Sequence, residues 1–366
     1  MDERPTSMES LVIDPGFWRG KRVFLTGHTG FKGGWLSLLL RHLKAEVYGF
    51  ALAPESSDGI FCSAGVAGDV HHVIGDIRDA SSLAKAVRAS NPDIVLHLAA
   101  QALVRPSYAD PVATYATNVM GTVHLLEAVR SVPNVRAALV VTSDKCYENL
   151  NWPWGYRETD ALGGHDPYSN SKGCAELVAS AYRRSFFNQG DHGAAIGSGR
   201  AGNVIGGGDW SVDRLVPDMM RAFVSNQPLL IRNPNAVRPW QHVLDPLLGY
   251  MVLVEHLVAH GAPFADAWNF GPSAASEVPV RRVVEGLAER WSKGATWRHD
   301  DNSQHLHEAA YLKLDCSKAH LKLGWRPAIT FDRMLQLTVD WYRAQRDGGD
   351  MRKVSSAQIK EVLNDL

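Results

Sequence analysis

Two short stretches hold residues whose types and spacing could move protons. The first, "VTSDKCYEN" at 141–149, sets Ser143, Asp144 and Lys145 side by side after an apolar, β-branched run. A hydroxyl can hold an oxygen, a carboxyl can give a proton, and an amine can take one or stabilise developing negative charge. The second, "HDPYSNSKGCAELVASAYRRSFF" at 165–187, carries Tyr168 and Lys172. Four residues apart, they share one face of a helix. A phenol placed there could remove the proton of an alcohol while a hydride leaves its carbon. Its pKa of about 10 is too high for that at neutral pH, and a drop of about three units takes about 4 kcal/mol. One cation ~4 Å away, at an effective dielectric of ~20, supplies about that much. Lys172 is the expected cation.

The elements around these residues follow from the pattern. Asp166 is the expected N-cap of the second stretch and Pro167 its first helical residue, which puts Tyr168 and Lys172 near the positive helix end. "AALVVTS" reads as a strand ending at Ser143. Before it, "RVFLTG", "AEVYGFAL" and "DIVLHLAA" read as strands, and "GGWLSLLLRHL", "ASSLAKAVRAS" and a segment around 111–131 as helices. Short β-branched runs alternating with helices predict an α/β fold, a doubly wound parallel Rossmann sheet covered on both faces. A smaller C-terminal α/β region for substrate completes it. Residues 1–15 read as a loose tail, 16–203 as the dinucleotide-binding domain with 243–272 returning to it, and 204–242 plus 273–366 as the substrate region. The last hundred residues look less regular. Ligands in such sheets bind beyond the carboxyl ends of the strands, where Ser143 falls.

The end of the first strand gives the cofactor signal. "TGHTGFKG" places Gly27, Gly30 and Gly33 in a turn between strand and helix, where backbone N–H groups can approach a pyrophosphate. Asp76 in "GDIRD" could meet an adenine amino group or cap the helix that follows. The second strand ends at Ala51, Leu52 and Ala53, with neither an acid for a ribose nor an arginine for a 2′-phosphate. NAD is therefore the expected cofactor with NADP not excluded.

Composition excludes several classes. At 366 residues with 45% hydrophobic and 21% charged residues, the chain is globular. A net charge of −1 argues against a nucleic-acid or anionic-membrane surface. No apolar run reaches the roughly 20 residues of a membrane span, and the N-terminus has no signal-peptide core. Cys62, Cys146, Cys174 and Cys316 are scattered and suit free thiols in a reducing cytoplasm. His305 and His307 in "HLHE" lack further ligand-spaced partners, so no metal is expected.

The motifs together resemble the extended short-chain dehydrogenase/reductase family, and within it the nucleotide-sugar 4,6-dehydratases of the CDP-glucose type. "GHTGFKG", "TSDKCYEN" and "RAGNVIGGGDW" carry the resemblance most specifically, and similar stretches run from "FWRGKRVFLTG" to "YLKLDCSKA". It implies oxidation at C4 of a CDP-glucose substrate, elimination of water across C5 and C6, and hydride return to C6. It implies that Asp144 protonates the departing hydroxyl and that Lys145 is the C5 base. A rival role leaves Lys145 charged as a stabiliser of the enolate, because adjacent Asp144 opposes its deprotonation. Along the cofactor the resemblance places His28, Phe31, Lys32, Ile77, Ala99, Ala100 and Asn118, the last ordering the catalytic helix through backbone contacts. Toward the substrate it places Asn203, Arg238, Gln241 and Tyr311, with Gly206 to Gly208 shaping a loop that admits the nucleotide. It also implies a homodimer or higher homo-oligomer through the helices at 111–131 and 168–187, whose apolar faces could equally be core. A 4-epimerase or plain dehydrogenase would share the glycine loop and Tyr168–Lys172 but gives no reason for Asp144-Lys145. A non-catalytic nucleotide-binding protein would tolerate loss of the whole set.

Overall fold

A computed structural model describes residues 13–187, 193–291, 295–300 and 311–366. Seven parallel strands form the central sheet: β1 (Arg22–Thr26), β2 (Glu46–Ala51), β3 (His71–Ile74), β4 (Ile94–His97), β5 (Ala137–Val141), β6 (Ala195–Ala201) and β7 (Ala267–Phe270). Their order across the sheet is β3-β2-β1-β4-β5-β6-β7. This is the doubly wound Rossmann arrangement that the alternation predicted. Successive side chains point to opposite faces. Val23, Leu25, Leu139 and Val141 therefore enter one apolar layer, while Phe24, Ala138 and Val140 enter the other.

Helices cover both layers. On the first face lie α1 (Phe31–His42) and, later in the chain, the long helix at 244–260; on the second lie α2 (Ala80–Ser90) and α3 (Gly121–Arg130). The catalytic helix is α4 (Pro167–Tyr182), and the helix at 244–260 is α5 (Leu244–His260). Asp79 caps α2 by accepting from the backbone N–H groups of Ser81 and Ser82. That leaves Asp76 free of the capping role considered for it. The chain enters α3 through Pro111–Tyr115 and a π turn at Ala116–Met120. Such a turn inside a helix often marks a site where a side chain is re-aimed.

Two expectations are corrected. Residues 13–15 are not loose: Ile13 is buried, Asp14 caps the turn Pro15–Trp18, and the Trp18 indole donates to Glu255 Oε1 at 2.6 Å. Apolar burial at Ile13 and Trp18 outweighs the polar look of the segment. Nor are the described residues of the last hundred irregular throughout. They form α6 (Val280–Trp291), α7 (Phe331–Arg346) and α8 (Met351–Asn364), whose apolar stripes recur at helical spacing. The last of these packs back on α1 and on the turn Ile60–Ser63. His305 and His307 lie outside the described residues. Among the described residues no acidic, His and Cys group could hold a metal, and no helix is long and apolar enough to cross a membrane.

Candidate active site

The carboxyl edge of β1, β4, β5 and β6 gathers the predicted chemistry. β5 ends at Val141, and Ser143 caps a short turn, Asp144–Cys146, its Oγ accepting from the Lys145 N–H at 3.2 Å. The Ser143 hydroxyl donates to Asp144 Oδ1 at 3.0 Å. Asp166 caps α4 by accepting from the Ser169 N–H, and Pro167 opens the helix, as predicted. This brings Tyr168 and Lys172, both buried, beside the Ser143 turn.

Charges in this pocket are strongly perturbed. Burial raises the Asp144 carboxyl, against the opposing pull of Lys145, Ser143, Arg238 and Lys32. A raised carboxyl can keep a proton to donate. Burial likewise pushes Tyr168 up to about 12, with the Ser143 hydroxyl and the Arg214 guanidinium as the largest opposing influences. Lys172 was expected to be the main cation on this phenol. Its Nζ donates to the Val141 carbonyl at 3.3 Å, aiming part of its hydrogen bonding at the strand end. Burial lowers Lys172 to about 8, Glu176 and then Cys146 opposing. Burial, then Arg214 and Lys172, lowers Lys32 to about 7.

The glycine loop fits a dinucleotide pyrophosphate. Gly27 has φ +78°, and a Cβ there would stand 2.6 Å from the Ala99 nitrogen. A Cβ on Gly33 would meet the Gly27 carbonyl oxygen at 2.1 Å. Only glycine lets the turn close so tightly, leaving the start of α1 bare for phosphate. Beneath it, Thr26 Oγ1 lies 2.7 Å from His97 Nδ1 and accepts from the Ala99 N–H at 3.2 Å. Thr29 closes the end of β2 by donating to the Leu52 carbonyl at 2.9 Å.

Other predicted cofactor residues separate into two groups. Ala99, Ala100, Phe31 and Lys32 line the strand ends and loop. His28 does not offer its ring there: it turns inward over Gly49, with Nε2 2.6 Å from His72 Nδ1. Burial and His72 lower it to about 4, so it is neutral at pH 7. The Ile77 side chain is core, packed where a Gly121 Cβ would be. Asp76 pairs with Arg78 at 2.5 Å, which holds its carboxyl low. Asn118 acts through its side chain, where backbone contacts to the catalytic helix were expected. Its amide bonds the Gln101 backbone in both directions at 2.9 Å and donates to Ser171 Oγ at 2.8 Å, which in turn donates to the Tyr168 carbonyl at 2.7 Å.

On the substrate side, Arg238 is buried on the strand Val237–Pro239 and close enough to Asp144 to pull its carboxyl down. Gln241 donates to the Phe270 carbonyl at 2.9 Å. Asn203 follows β6, and its carbonyl accepts from the Gln241 N–H. Tyr311 is 42% exposed and bridges to Val237. Gly206 to Gly208 form a turn that is packed from both sides. A Cβ on Gly207 would strike Trp341 at 2.0 Å, and one on Gly208 would meet Ile60 at 2.7 Å, so the glycines admit packing partners.

Three contributors were missed. Arg214 reaches toward Tyr168 and pairs with Asp209 at 3.0 Å. Gly202 faces Asp144, and Tyr250 is buried with its ring 5.9 Å from Lys32 Nζ. Gly202 stands next to Asn203 in "RAGNVIGGGDW", but Arg214 and Tyr250 have no spacing that ties them locally to the motifs.

Comparison with known proteins agrees with this geometry. The family described as GDP-mannose 4,6 dehydratase matches residues 24–338. A CDP-glucose 4,6-dehydratase from Salmonella typhimurium is 51% identical over 356 residues, spanning 96% of this chain and 99% of that one. A dTDP-glucose 4,6-dehydratase from Xanthomonas campestris is 27% identical, with 87% and 92% covered. Among solved structures, a dTDP-glucose 4,6-dehydratase from Streptomyces venezuelae with NAD and TYD bound has a TM-score of 0.73 at 26% identity, covering 90% of this chain and 98% of that chain. A UDP-glucose 4-epimerase from Thermotoga maritima, at TM-score 0.74 and 20% identity, shares the fold. Because the match runs from within β1 to within α7, the whole chain, and not a borrowed cofactor loop alone, belongs to the GDP-mannose 4,6-dehydratase family.

Proposed function

We propose that the protein is an NAD-dependent CDP-glucose 4,6-dehydratase, converting CDP-D-glucose to CDP-4-keto-6-deoxy-D-glucose and water. The observation that carries this reading is Asp144 beside Lys145 on the turn that faces Tyr168 and Lys172. A 4-epimerase or simple dehydrogenase needs the tyrosine and lysine but has no use for a second acid–base pair. The 51% identity to a CDP-glucose 4,6-dehydratase supports the same choice.

Gly27, Gly30 and Gly33 hold the pyrophosphate of NAD, with Phe31, Lys32, Ala99 and Ala100 along it and Asp76 toward the adenine. NAD supplies the acceptor, and later the donor, of the transferred hydride. Ser143 holds the C4 oxygen of the sugar, and Tyr168 takes its proton. With Lys172, Arg214 and the Ser143 hydroxyl around it, the phenol is stabilised as its charge develops. The C4 ketone acidifies C5–H. Lys145 removes that proton or stabilises the enolate, and Asp144, its carboxyl raised by burial, gives a proton to the departing C6 hydroxyl. Asn203, Arg238, Gln241 and Tyr311 form the handle side, where Arg238 offers its planar fork to the diphosphate. The enzyme works as a homodimer joined through the helical segments 111–131 and 168–187, which expose Met120, Leu177 and Phe186. It acts in the cytoplasm, a setting that suits its free thiols.

Purified protein with CDP-glucose and catalytic NAD should yield a sugar lighter by one water without accumulating NADH. An unchanged mass with CDP-glucose, alongside turnover of another nucleotide-glucose, would overturn the substrate. Accumulated NADH with no loss of water would overturn the elimination.

A further inference from the structure

One helical turn on from Lys172, on the same helix, lies Glu176. The buried Glu176 carboxylate accepts from Thr142 Oγ1, from Ser198 Oγ at 2.7 Å and from Arg200 Nη2 at 2.9 Å. Thr142 directly precedes Ser143, and Ser198 and Arg200 lie on β6. Lys172 and Glu176 thus fasten α4 to the two strand ends that carry the chemistry, Lys172 through the Val141 carbonyl and Glu176 through the residue after it. Arg200 extends the connection. Its Nη1 donates to Tyr147 Oη at 2.8 Å, Tyr147 donates to Asn269 Oδ1 at 2.7 Å, and Asn269 donates to the carbonyls of Tyr156 and Asp315.

We propose that Glu176 is a positioning residue for the reaction: its carboxylate locks Lys172 in register with Ser143 and supplies the negative charge that keeps Lys172 cationic. The inference rests on the reading above, in which Tyr168 and Lys172 oxidise the sugar. Of the groups around Lys172, the Asp144 carboxyl and the Tyr168 phenol are both raised by burial, away from their charged forms, which leaves the role to Glu176. Lys32, from α1, is of like sign. His97, from β4, is lowered by burial to about 3 and is neutral at pH 7. Cys146, from the turn after β5, has its thiol pushed well up by burial and stays protonated. Burial raises the Glu176 carboxyl too, but Arg200, Thr142 and Ser198 hold it below its usual value. Among these groups it is the anion that opposes the burial of Lys172. A unit charge one helical turn away, about 6 Å at an effective dielectric of about 20, is worth about two pH units before Arg200 offsets part of it.

The test is NMR titration of lysine labelled at Cε, with the Lys172 resonance assigned by its loss in Lys172→Met. In Glu176→Gln, where the amide oxygen can still accept from Ser198 and Arg200 and the amide nitrogen can donate to Thr142 Oγ1, Lys172 should titrate at least about one pH unit lower than in the unaltered protein. Thr142→Val, which removes one bond of the fastening and keeps the charge, should leave the titration within about half a unit while lowering kcat more than it changes KM. Should Arg200, left unpaired, prevent Glu176→Gln from folding, Glu176→Gln/Arg200→Met removes both charges and is read in the same way. An unchanged Lys172 titration in a folded Glu176→Gln protein overturns the proposal. A shifted titration in a protein that dehydrates no nucleotide-glucose would keep the Glu176 pairing and overturn the dehydratase reading instead.

Discussion

A Cβ added to Gly202 would stand 2.9 Å from Asp144 Oδ2. The strand end after β6 therefore has room for the carboxyl of the proposed acid only because it ends in glycine, with Pro239 closing the other side at 2.6 Å. Gly202→Ala should push Asp144 off its position without removing any reacting group. We expect kcat to fall about tenfold to a hundredfold, the loss expected when a reacting group is slightly misplaced. Steady-state kinetics with far-ultraviolet circular dichroism checks it; unchanged kcat would show that the carboxyl has another place to go.

Asp144→Asn keeps the shape and removes the proton. The elimination should slow by about 10²–10⁴, the usual worth of a placed general acid, while C4 oxidation continues. Reduced cofactor should then build up on the enzyme, visible by absorbance after rapid mixing. Quenched samples should contain the 4-keto sugar with its water retained. Normal water loss would show that another group supplies the proton.

The tight loop sets a prediction for the cofactor. In Gly33→Ala the new methyl would collide with the Gly27 carbonyl oxygen at 2.1 Å, so the turn must open. NAD affinity should fall by about 100-fold or more, equivalent to about 2.7 kcal/mol, and calorimetric titration measures it. The thermal midpoint should fall as well.

Stability should depend on pH through a buried acid away from the site. Asp245 Oδ1 accepts from the Ala328 and Ile329 N–H groups, at 2.9 and 3.3 Å, and burial raises its carboxyl from 3.8 to about 7. A raised acid binds its proton more tightly in the native state, so its stabilisation is complete below pH 3.8 and is lost as pH rises to about 7. Over that window the loss is at most about 4 kcal/mol, at 1.36 kcal/mol per pH unit. Thermal midpoints should fall between about pH 4 and 7, and fall less in Asp245→Asn. Glu255, raised by burial to about 7, has the same sign and leaves a residual slope. Parallel pH dependence in both proteins would remove Asp245 from the account.

What could be read in the sequence was local. Strand ends, the Asp166 cap, Pro167 and the i, i+4 placement of Tyr168 and Lys172 are set by neighbours within a turn or two, and the structure holds them as expected. The glycine spacing and Ser143-Asp144-Lys145 were legible for the same reason. Long-range fit was not. His28 turns inward because Gly49, on the neighbouring strand, leaves space for its ring. Gly207 looks like part of an open loop until Trp341 arrives from α7. The Glu176–Arg200 pair joins positions that only the packing of α4 against β6 brings together. Asn118 could be named as a site residue, but its actual partners, Gln101 and Ser171, come from two separate elements.

The return of α7 and α8 to earlier parts of the chain, α8 to the first helix itself, has a consequence for the protein's birth. Gln345 donates to the Asp58 carbonyl, Arg352 pairs with Asp69, and Tyr342 donates to the Asp209 carbonyl. The first two join residues 287 and 283 positions apart, so they cannot form until α7 and α8 have left the ribosome. Contacts of such sequence separation form slowly, and until they do the apolar side of α1 lacks part of its cover. The nascent N-terminal half must therefore wait for the last helices before its nucleotide pocket is finished, and a message truncated before α7 should yield an aggregating fragment in place of a smaller enzyme.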